Sequence, residues 1–245
     1  MEAIKIEGLC KRYKEVVAVD NLTLTIEEGE LFSLLGVNGA GKTTTVKMLA
    51  TLVNPTEGDA FIFGHSICSE KNNVKELVDI SMQETAVARK LTVRENIDFY
   101  AALSGQNKEE ILKTREYVYN VFGLDKVQNV RASKLSGGWQ RKLSIALSLV
   151  SHPKVLFLDE PTLGLDVLAR RELWQAICEL KQKITIILTT HYMEEAEALS
   201  DRIGIMRDGK LLFVGNKEEL FEKTKKDNVE DAFVEIVSVK GGENA

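Results

Sequence analysis

The chain is short of several things, and each shortage excludes a class. It has three cysteines in 245 residues. Cys10, Cys68 and Cys178 are odd in number and far apart, so they build neither a disulfide framework nor a zinc site. They read as reduced thiols of a cytosolic protein. No apolar run approaches the ~18–20 residues that cross a bilayer. Met1 to Tyr13 carries Glu2, Lys5, Glu7, Lys11 and Arg12 where a secretory segment would have an apolar core. The expectation is a soluble, cytosolic chain, with any membrane spans supplied by another chain. Surplus positive charge is missing too: 32 Lys+Arg stand against 37 Asp+Glu, a net charge of −5. That argues against a bulk-basic nucleic-acid binder, and no nucleic-acid partner is expected. Internal repeats and low-complexity segments are absent. With 44% apolar and 28% charged residues the composition is that of an ordinary globular protein, and the length suits one large domain or two small ones.

Short apolar runs alternate with helical patterns. Leu31 to Leu35, Val155 to Leu158 (ending on Asp159) and Ile184 to Thr190 (ending on His191) are continuous apolar or β-branched stretches. Such strands suit a sheet covered on both faces, hence parallel α/β. Ala3 to Leu9 and Asn21 to Ile26 alternate, and Lys210 to Val214 follows the turn residues Asp208-Gly209. From about Thr92 to Val150 the pattern is helical. Thr92-Val93-Arg94-Glu95 reads as a capping box, and Ile111, Val118, Val121 and Phe122 share one helical face. Glu222 to Asn228 reads as a charged linker, and Ala232 to Val239 as a terminal strand or short helix.

Gly36-Val37-Asn38-Gly39-Ala40-Gly41-Lys42-Thr43 fits G-x-x-x-x-G-K-[ST] between a strand and a helix. Glycines let backbone N–H groups turn around an anion, and the helix N-terminus adds positive potential. Lys42 can reach β/γ-phosphates, and the Thr43 hydroxyl can hold Mg²⁺. Asp159 and Glu160 end an apolar strand, where α/β folds bind ligands. Asp159 suits a Mg²⁺ position through water, and Glu160 suits a general base that polarises a water. Taken alone, the pair also reads as an acidic strand-to-turn boundary holding Pro161. Ser136-Gly137-Gly138 opens another apolar helix, either as a second anion cradle or as a plain helix start.

The order of these motifs, with Leu135-Ser136-Gly137-Gly138 between the phosphate loop and Asp159-Glu160, resembles the nucleotide-binding subunit of ABC (ATP-binding cassette) transporters, from Ile4 to about Leu220. The resemblance implies an α/β fold: a P-loop NTPase core with a mainly parallel sheet, an antiparallel β-subdomain and a helical subdomain inserted at about 92–150. The ATPase domain would span 1–220, with a C-terminal extension over 221–245. It implies ATP and Mg²⁺ as ligands, and an ATPase activity.

The resemblance also implies roles for particular residues. Tyr13 would stack on adenine. Gly36, Asn38, Gly39, Ala40, Gly41, Lys42, Thr43 and Thr44 would form the Walker A loop. Gln83 would touch Mg²⁺ and report to the membrane subunit. Ser136, Gly137 and Gly138 would contact the γ-phosphate of ATP held by an opposite subunit. Asp159 would be the Walker B carboxylate and Glu160 the catalytic one. Asp166 would lie in the loop that crosses the dimer interface, and His191 would be the switch histidine at the γ-phosphate. Val37 stands where the family often has Pro, and Trp139 where Gln is frequent in importers. His65 and His152 match no motif.

Three further stretches, Leu91 to Asn96, Glu160 to Asp166 and Thr189 to Glu197, look like those of exporter ATPases whose permease is a separate chain. That subgroup handles drugs, antibiotics, lipids, polysaccharides and, in one branch, sodium. The implied partners are a polytopic permease and a second, identical or similar cassette in an ATP-dependent dimer. The implied location is the inner face of the cell membrane, held there through the permease. An importer ATPase is the nearest alternative. A soluble ABC ATPase of translation or DNA maintenance would usually carry two cassettes, a long coiled-coil insertion or zinc cysteines, none of which is present.

Overall fold

The computed structural model describes residues 1–238. The strands are β1 (Glu2–Tyr13), β2 (Val16–Glu27), β3 (Leu31–Gly36), β4 (Glu57–Ile62), β5 (His65–Ser66), β6 (Val78–Ser81), β7 (Val155–Asp159), β8 (Thr185–Thr190), β9 (Arg202–Arg207) and β10 (Lys210–Gly215). The helices are α1 (Lys42–Leu49), α2 (Lys71–Leu77), α3 (Val93–Leu103), α4 (Lys108–Phe122), α5 (Gly137–Ser148), α6 (Val167–Cys178), α7 (Met193–Leu199), α8 (Lys217–Thr224) and α9 (Val229–Ser238).

A six-stranded sheet runs β10-β9-β3-β8-β7-β6. It is parallel except at the β9–β10 hairpin. Every residue of β3, β7 and β8 is buried, as continuous apolar runs require when both faces of a sheet are covered. The pleat divides these side chains between two cores. Phe32, Leu34, Phe157 and Ile187 join one cluster with α1 and the antiparallel sheet β2-β1-β4-β5. Leu31, Leu156, Leu158, Ile186 and Leu188 face the other way and join Val93, Ile97, Val118, Phe122, Leu143 and Ile145 of the helical segment. The helical segment therefore shares its core with the sheet. A third cluster joins Leu35, Ile203 and Ile205 to Phe213, Leu220, Val229 and Phe233.

Some local expectations change. β1 and β2 are longer than their alternating cores suggested, because they pair along nearly their whole length. The charged stretch from Glu222 begins inside α8, whose Asn216 cap accepts from the Glu219 amide and whose last turn closes on Lys225 in the left-handed region. Acidic Glu218 and Glu219 at its start suit the helix dipole. The chain from 229 is helical, not extended, because Val229, Ala232 and Phe233 at helical spacing meet the third cluster. Val239 lies outside the described residues. β6 and β9 carry Asp79, Ser81, Arg202 and Arg207 among apolar residues, so no continuous apolar run announces them.

The capping box at Thr92 is present: its hydroxyl accepts from the Glu95 amide, and its amide donates to Glu95. One helical turn on, Asn96 is fully buried. Its Oδ1 accepts from the Ala88 amide at 2.8 Å, and its Nδ2 donates to the carbonyls of Ala88 (3.1 Å) and Thr92 (2.9 Å). Asn96 thus pins the segment that leads from Gln83 into α3. Asn96→Ala would strand a buried amide and carbonyls, so it should cost about 1–3 kcal/mol. Urea unfolding monitors this, and a change below ~0.5 kcal/mol, the size of an ordinary surface substitution, would contradict it.

Candidate functional site

β3 carries Gly36 to the end of the sheet, and the chain turns through 37–41 into α1. Gly41 adopts φ +105°, and a Cβ there would lie 2.4 Å from the Ala18 carbonyl oxygen. Only glycine meets both conditions. Gly39, at φ +83°, would present a Cβ to open space. The Ala40 amide closes on the Val37 carbonyl at 3.1 Å, and Gly209 N–H donates to the Ala40 carbonyl at 3.1 Å. No acidic side chain occupies the first turn of α1, so its free amides keep their positive potential for an anion.

Lys42 is 5% exposed; its Nζ donates to the carbonyls of Gly36 (2.7 Å) and Val37 (3.2 Å). Burial draws its pKa below the usual lysine range, opposed by Glu160 and Asp159. Asp159 is 1% exposed. It accepts from Thr43 Oγ1, 3.0 Å from both carboxylate oxygens, and from Thr189 Oγ1 at 2.5 Å. The second contact follows from the register, since Asp159 and Thr189 are neighbours on the parallel pair β7–β8.

Glu160 has φ +47°. Its amide donates to the Thr189 carbonyl at 3.0 Å. Its Oε1 lies 3.7 Å from Lys42 Nζ and its Oε2 3.1 Å from His191 Nδ1. The His191 ring packs on Tyr192 at 4.2 Å, and the Arg170 guanidinium covers Tyr192 at 4.5 Å.

A cavity of about 740 Å³ brings together Tyr13, Asn38 to Thr44, Gln83, Glu160 and His191. That volume suits a ligand of nucleotide size. Gly36 and Asp159 do not line it; each is hydrogen-bonded to a residue that does, Gly36 to Lys42 and Asp159 to Thr43. Tyr13 is half-exposed, with Lys11 Nζ 4.9 Å from the ring centroid. Ser136 and Gly138 line a separate small recess with Trp139, Lys142, Ala169 and Glu172, which shares no residue with the cavity. A Cβ on Gly137 would meet nothing. Asp166 caps α6, accepting from the amides of Leu168 and Ala169 at 3.0 Å each. Leu163, Val167 and Leu168 beside it expose apolar side chains. Trp139 packs half-buried against the helical cluster, with Lys142 over its ring. His65 pairs with Glu70 and His152 with Thr114, neither in the cavity.

Three participants escaped sequence reading. Thr189 lies two residues before His191 inside an apolar run, and only the strand register assigns it to Asp159. Asp208 lines the cavity because Gly209 is tied to Ala40. Arg141 is 4% exposed and donates to carbonyls of two segments, 82–83 and 159–161. Its signal is a guanidinium in an apolar helix, one turn before Ile145. Burial draws its pKa down to about 10, opposed by Asp159 and Glu195.

The family model for ABC transporters matches residues 19–163, more than half of the chain. Phospholipid-transporting ATPase ABCA3 of Homo sapiens is 41% identical over 226 residues, which are 91% of this chain and 13% of that protein. The chain spans between 9% and 28% of the length of eight curated relatives that it matches. Among solved structures, cbiO1 from Clostridium perfringens, part of the ABC transporter complex cbiONQ, aligns with a TM-score of 0.83 at 28% identity over 91% of each chain. An ATP-binding cassette solved as a post-hydrolysis dimer with ADP and Pi aligns with a TM-score of 0.77 at 25% identity, covering 87% of this chain and 98% of that one.

Beyond the cavity, Glu195 on α7 is fully buried, and Trp174 Nε1 donates to its Oε1 at 3.0 Å. Burial raises its pKa, against the pull of Thr190, Trp174, Thr162 and Arg170. A raised folded value favours the neutral form. Its stabilising contribution is complete below the unfolded carboxylate value of 4.5 and is lost as pH climbs through the folded value. Glu195→Gln keeps an acceptor for Trp174 and cannot ionise. It should be more stable than the parent at pH 8 and lose that advantage towards pH 5. Urea midpoints at the two pH values report this, and an advantage independent of pH would refute it.

Proposed function

Because this chain is an ATPase cassette of the ABC transporter family, we propose that it binds ATP in the cavity over the Gly36–Thr44 loop and hydrolyses it to drive export through a membrane permease. The observation that carries this reading is the convergence on one cavity of a buried lysine, a Gly-rich helix start, and Glu160 within 3.1 Å of His191. Loop amides and Lys42 hold the β- and γ-phosphates, and the Lys42 ammonium offsets their charge in a partly dry site. Tyr13 lines the cavity and stacks its ring on the base.

Thr43, Asp159 and Gln83 fit Mg²⁺, since hydroxyl, carboxylate and amide oxygen are the hard donors that ion prefers. When bound, the ion neutralises charge on the phosphate oxygens. Glu160 takes a proton from the attacking water as its oxygen bonds to the γ-phosphorus and the bridge to the β-phosphate breaks. His191, seated on Tyr192 beside Glu160, is placed to hold the γ-phosphate or that water.

The recess at Ser136 and Gly138, on either side of Gly137, shares no residue with the cavity. For both to meet one ATP, two chains pair head to tail about a two-fold axis, each closing the other's site. Asp166 and the exposed Leu163, Val167 and Leu168 would lie in that contact. Among the described residues no helix is long and apolar enough to cross a membrane, so this reading takes the spans from a permease, with this chain at the inner face of the cell membrane. The ABCA3 relative supports a lipid as the exported class.

Lys42→Ala should abolish hydrolysis and weaken ATP binding, as calorimetry and phosphate release would show. Unaltered turnover would refute the site. Glu160→Gln should lower turnover by the ~10²–10⁴-fold of a lost general base. It should also run as a dimer on gel filtration with ATP and as a monomer with ADP. Adding Ser136→Arg should abolish the dimer; a dimer indifferent to that change would refute the two-chain site. Recovery from membranes with a polytopic protein, and lipid efflux from vesicles loaded through that complex, test export. Uptake in place of efflux would make the permease an importer.

A further inference from the structure

Arg141 stands outside the phosphate cavity, yet its guanidinium meets four carbonyls that flank the two residues given roles there. Nη2 donates to the Asp159 carbonyl at 3.0 Å and Nε to the Pro161 carbonyl at 2.7 Å. These are the residues before and after Glu160, so the guanidinium brackets the one turn at which Glu160 is held at φ +47°. From its other edge, Nη1 donates to the carbonyls of Met82 at 2.5 Å and Gln83 at 3.2 Å. Arg141 itself sits on α5, the helix capped by Ser136.

We propose that Arg141 is a positioning residue that locks Gln83, the Glu160 turn and the Ser136 helix into one rigid unit. A displacement of the Gln83 loop is thereby delivered to the catalytic carboxylate. The chemistry calls for arginine. A planar guanidinium presents donors along several in-plane directions at once, and buried carbonyls converge on it from two sides; an ammonium is a point donor that cannot span them. The helix supplies the lever. A shift of the Gln83 carbonyl tilts the guanidinium plane, and the same plane carries the bonds on either side of Glu160. This inference rests on the reading of Glu160 as the general base.

The test is Arg141→Lys, with Arg141→Gln beside it, in the full chain. ATP affinity should stay within about 2-fold of the parent, because no phosphate contact is touched, and kcat should fall by up to about 10²-fold, as a misplaced reacting group does. Amide hydrogen exchange should quicken at 82–84 and 160–163 together while the Gly36–Thr43 loop keeps its protection. In a Glu160→Gln background, Arg141→Lys should cause no further loss of kcat, since it acts through Glu160. Unchanged kcat in a folded Arg141→Lys, independent loosening of the two segments, additive losses in the double variant, or failure of both single variants to fold would each overturn the proposal. If Glu160→Gln alone kept full turnover, the general-base reading would fall instead, and the exchange result would still judge the clamp.

Discussion

The side chain of Asp159 sits between two threonine hydroxyls, with almost no contact with solvent. A carboxylate in that position is tolerated only if its oxygens are satisfied. The hydroxyls that satisfy it come from α1 and β8, while its own backbone carbonyl is held by α5. The three buried strands β3, β8 and β7 are adjacent and parallel, so they end side by side, with Leu35 against Thr190 and Asp159 against Thr189. Three of the segments that line the cavity follow from that shared end. The phosphate loop leaves β3, His191 leaves β8 and Glu160 leaves β7. Removing one hydroxyl would leave a buried carboxylate under-bonded at the point where all three meet.

The same geometry divides the candidate anion-binding features into two groups. Lys42, Thr43 and Glu160 open on one cavity, and Ser136 and Gly138 open on another. α5 starts at the second group and runs back beneath the first, where Arg141 touches the backbone around Glu160. Within one chain the two groups are therefore mechanically joined and chemically separate. In the two-fold pair of chains proposed above, that combination would give each nucleotide a rigid connection to the helix that closes the other one. Exposed apolar side chains at Leu163, Val167 and Leu168 cover the ground between the groups, as a surface meant for another chain would.

The legible parts of the sequence were those in which one segment is enough. A Gly-rich loop between an apolar strand and a helix is local, and so is the capping box at Thr92; both stand in the structure as read. The strands β3, β7 and β8 were legible because burial on both faces leaves no polar interruption. β6 and β9 were not, because their charged and hydroxyl side chains are satisfied by distant partners, Asp79 by Ser151 and Arg202 by Glu30. Thr189 and Arg141 belong to the same category. Their partners lie 30 and 18–59 residues away, so only strand register and helix packing reveal them. The helix from Val229 was ambiguous because a short apolar run fits either period until its neighbours are known.

One further constraint explains how two consecutive carboxylates serve a single cavity. Along a strand, successive side chains point to opposite faces. If β7 continued one residue further, Asp159 and Glu160 would diverge, one towards Thr43 and the other away from it. The left-handed φ of +47° at Glu160 breaks the alternation. It swings the second carboxylate to the side of the first, close to Lys42 and His191. A non-glycine residue in that conformation costs about 1–3 kcal/mol and persists only where its surroundings over-determine it. Here they do: the Glu160 amide is bonded to Thr189, and the carbonyls on both sides are bonded to Arg141. Glycine would relieve the strain but delete the carboxylate, so the turn keeps a glutamate in a glycine's conformation, and the burial of Arg141 follows from that requirement.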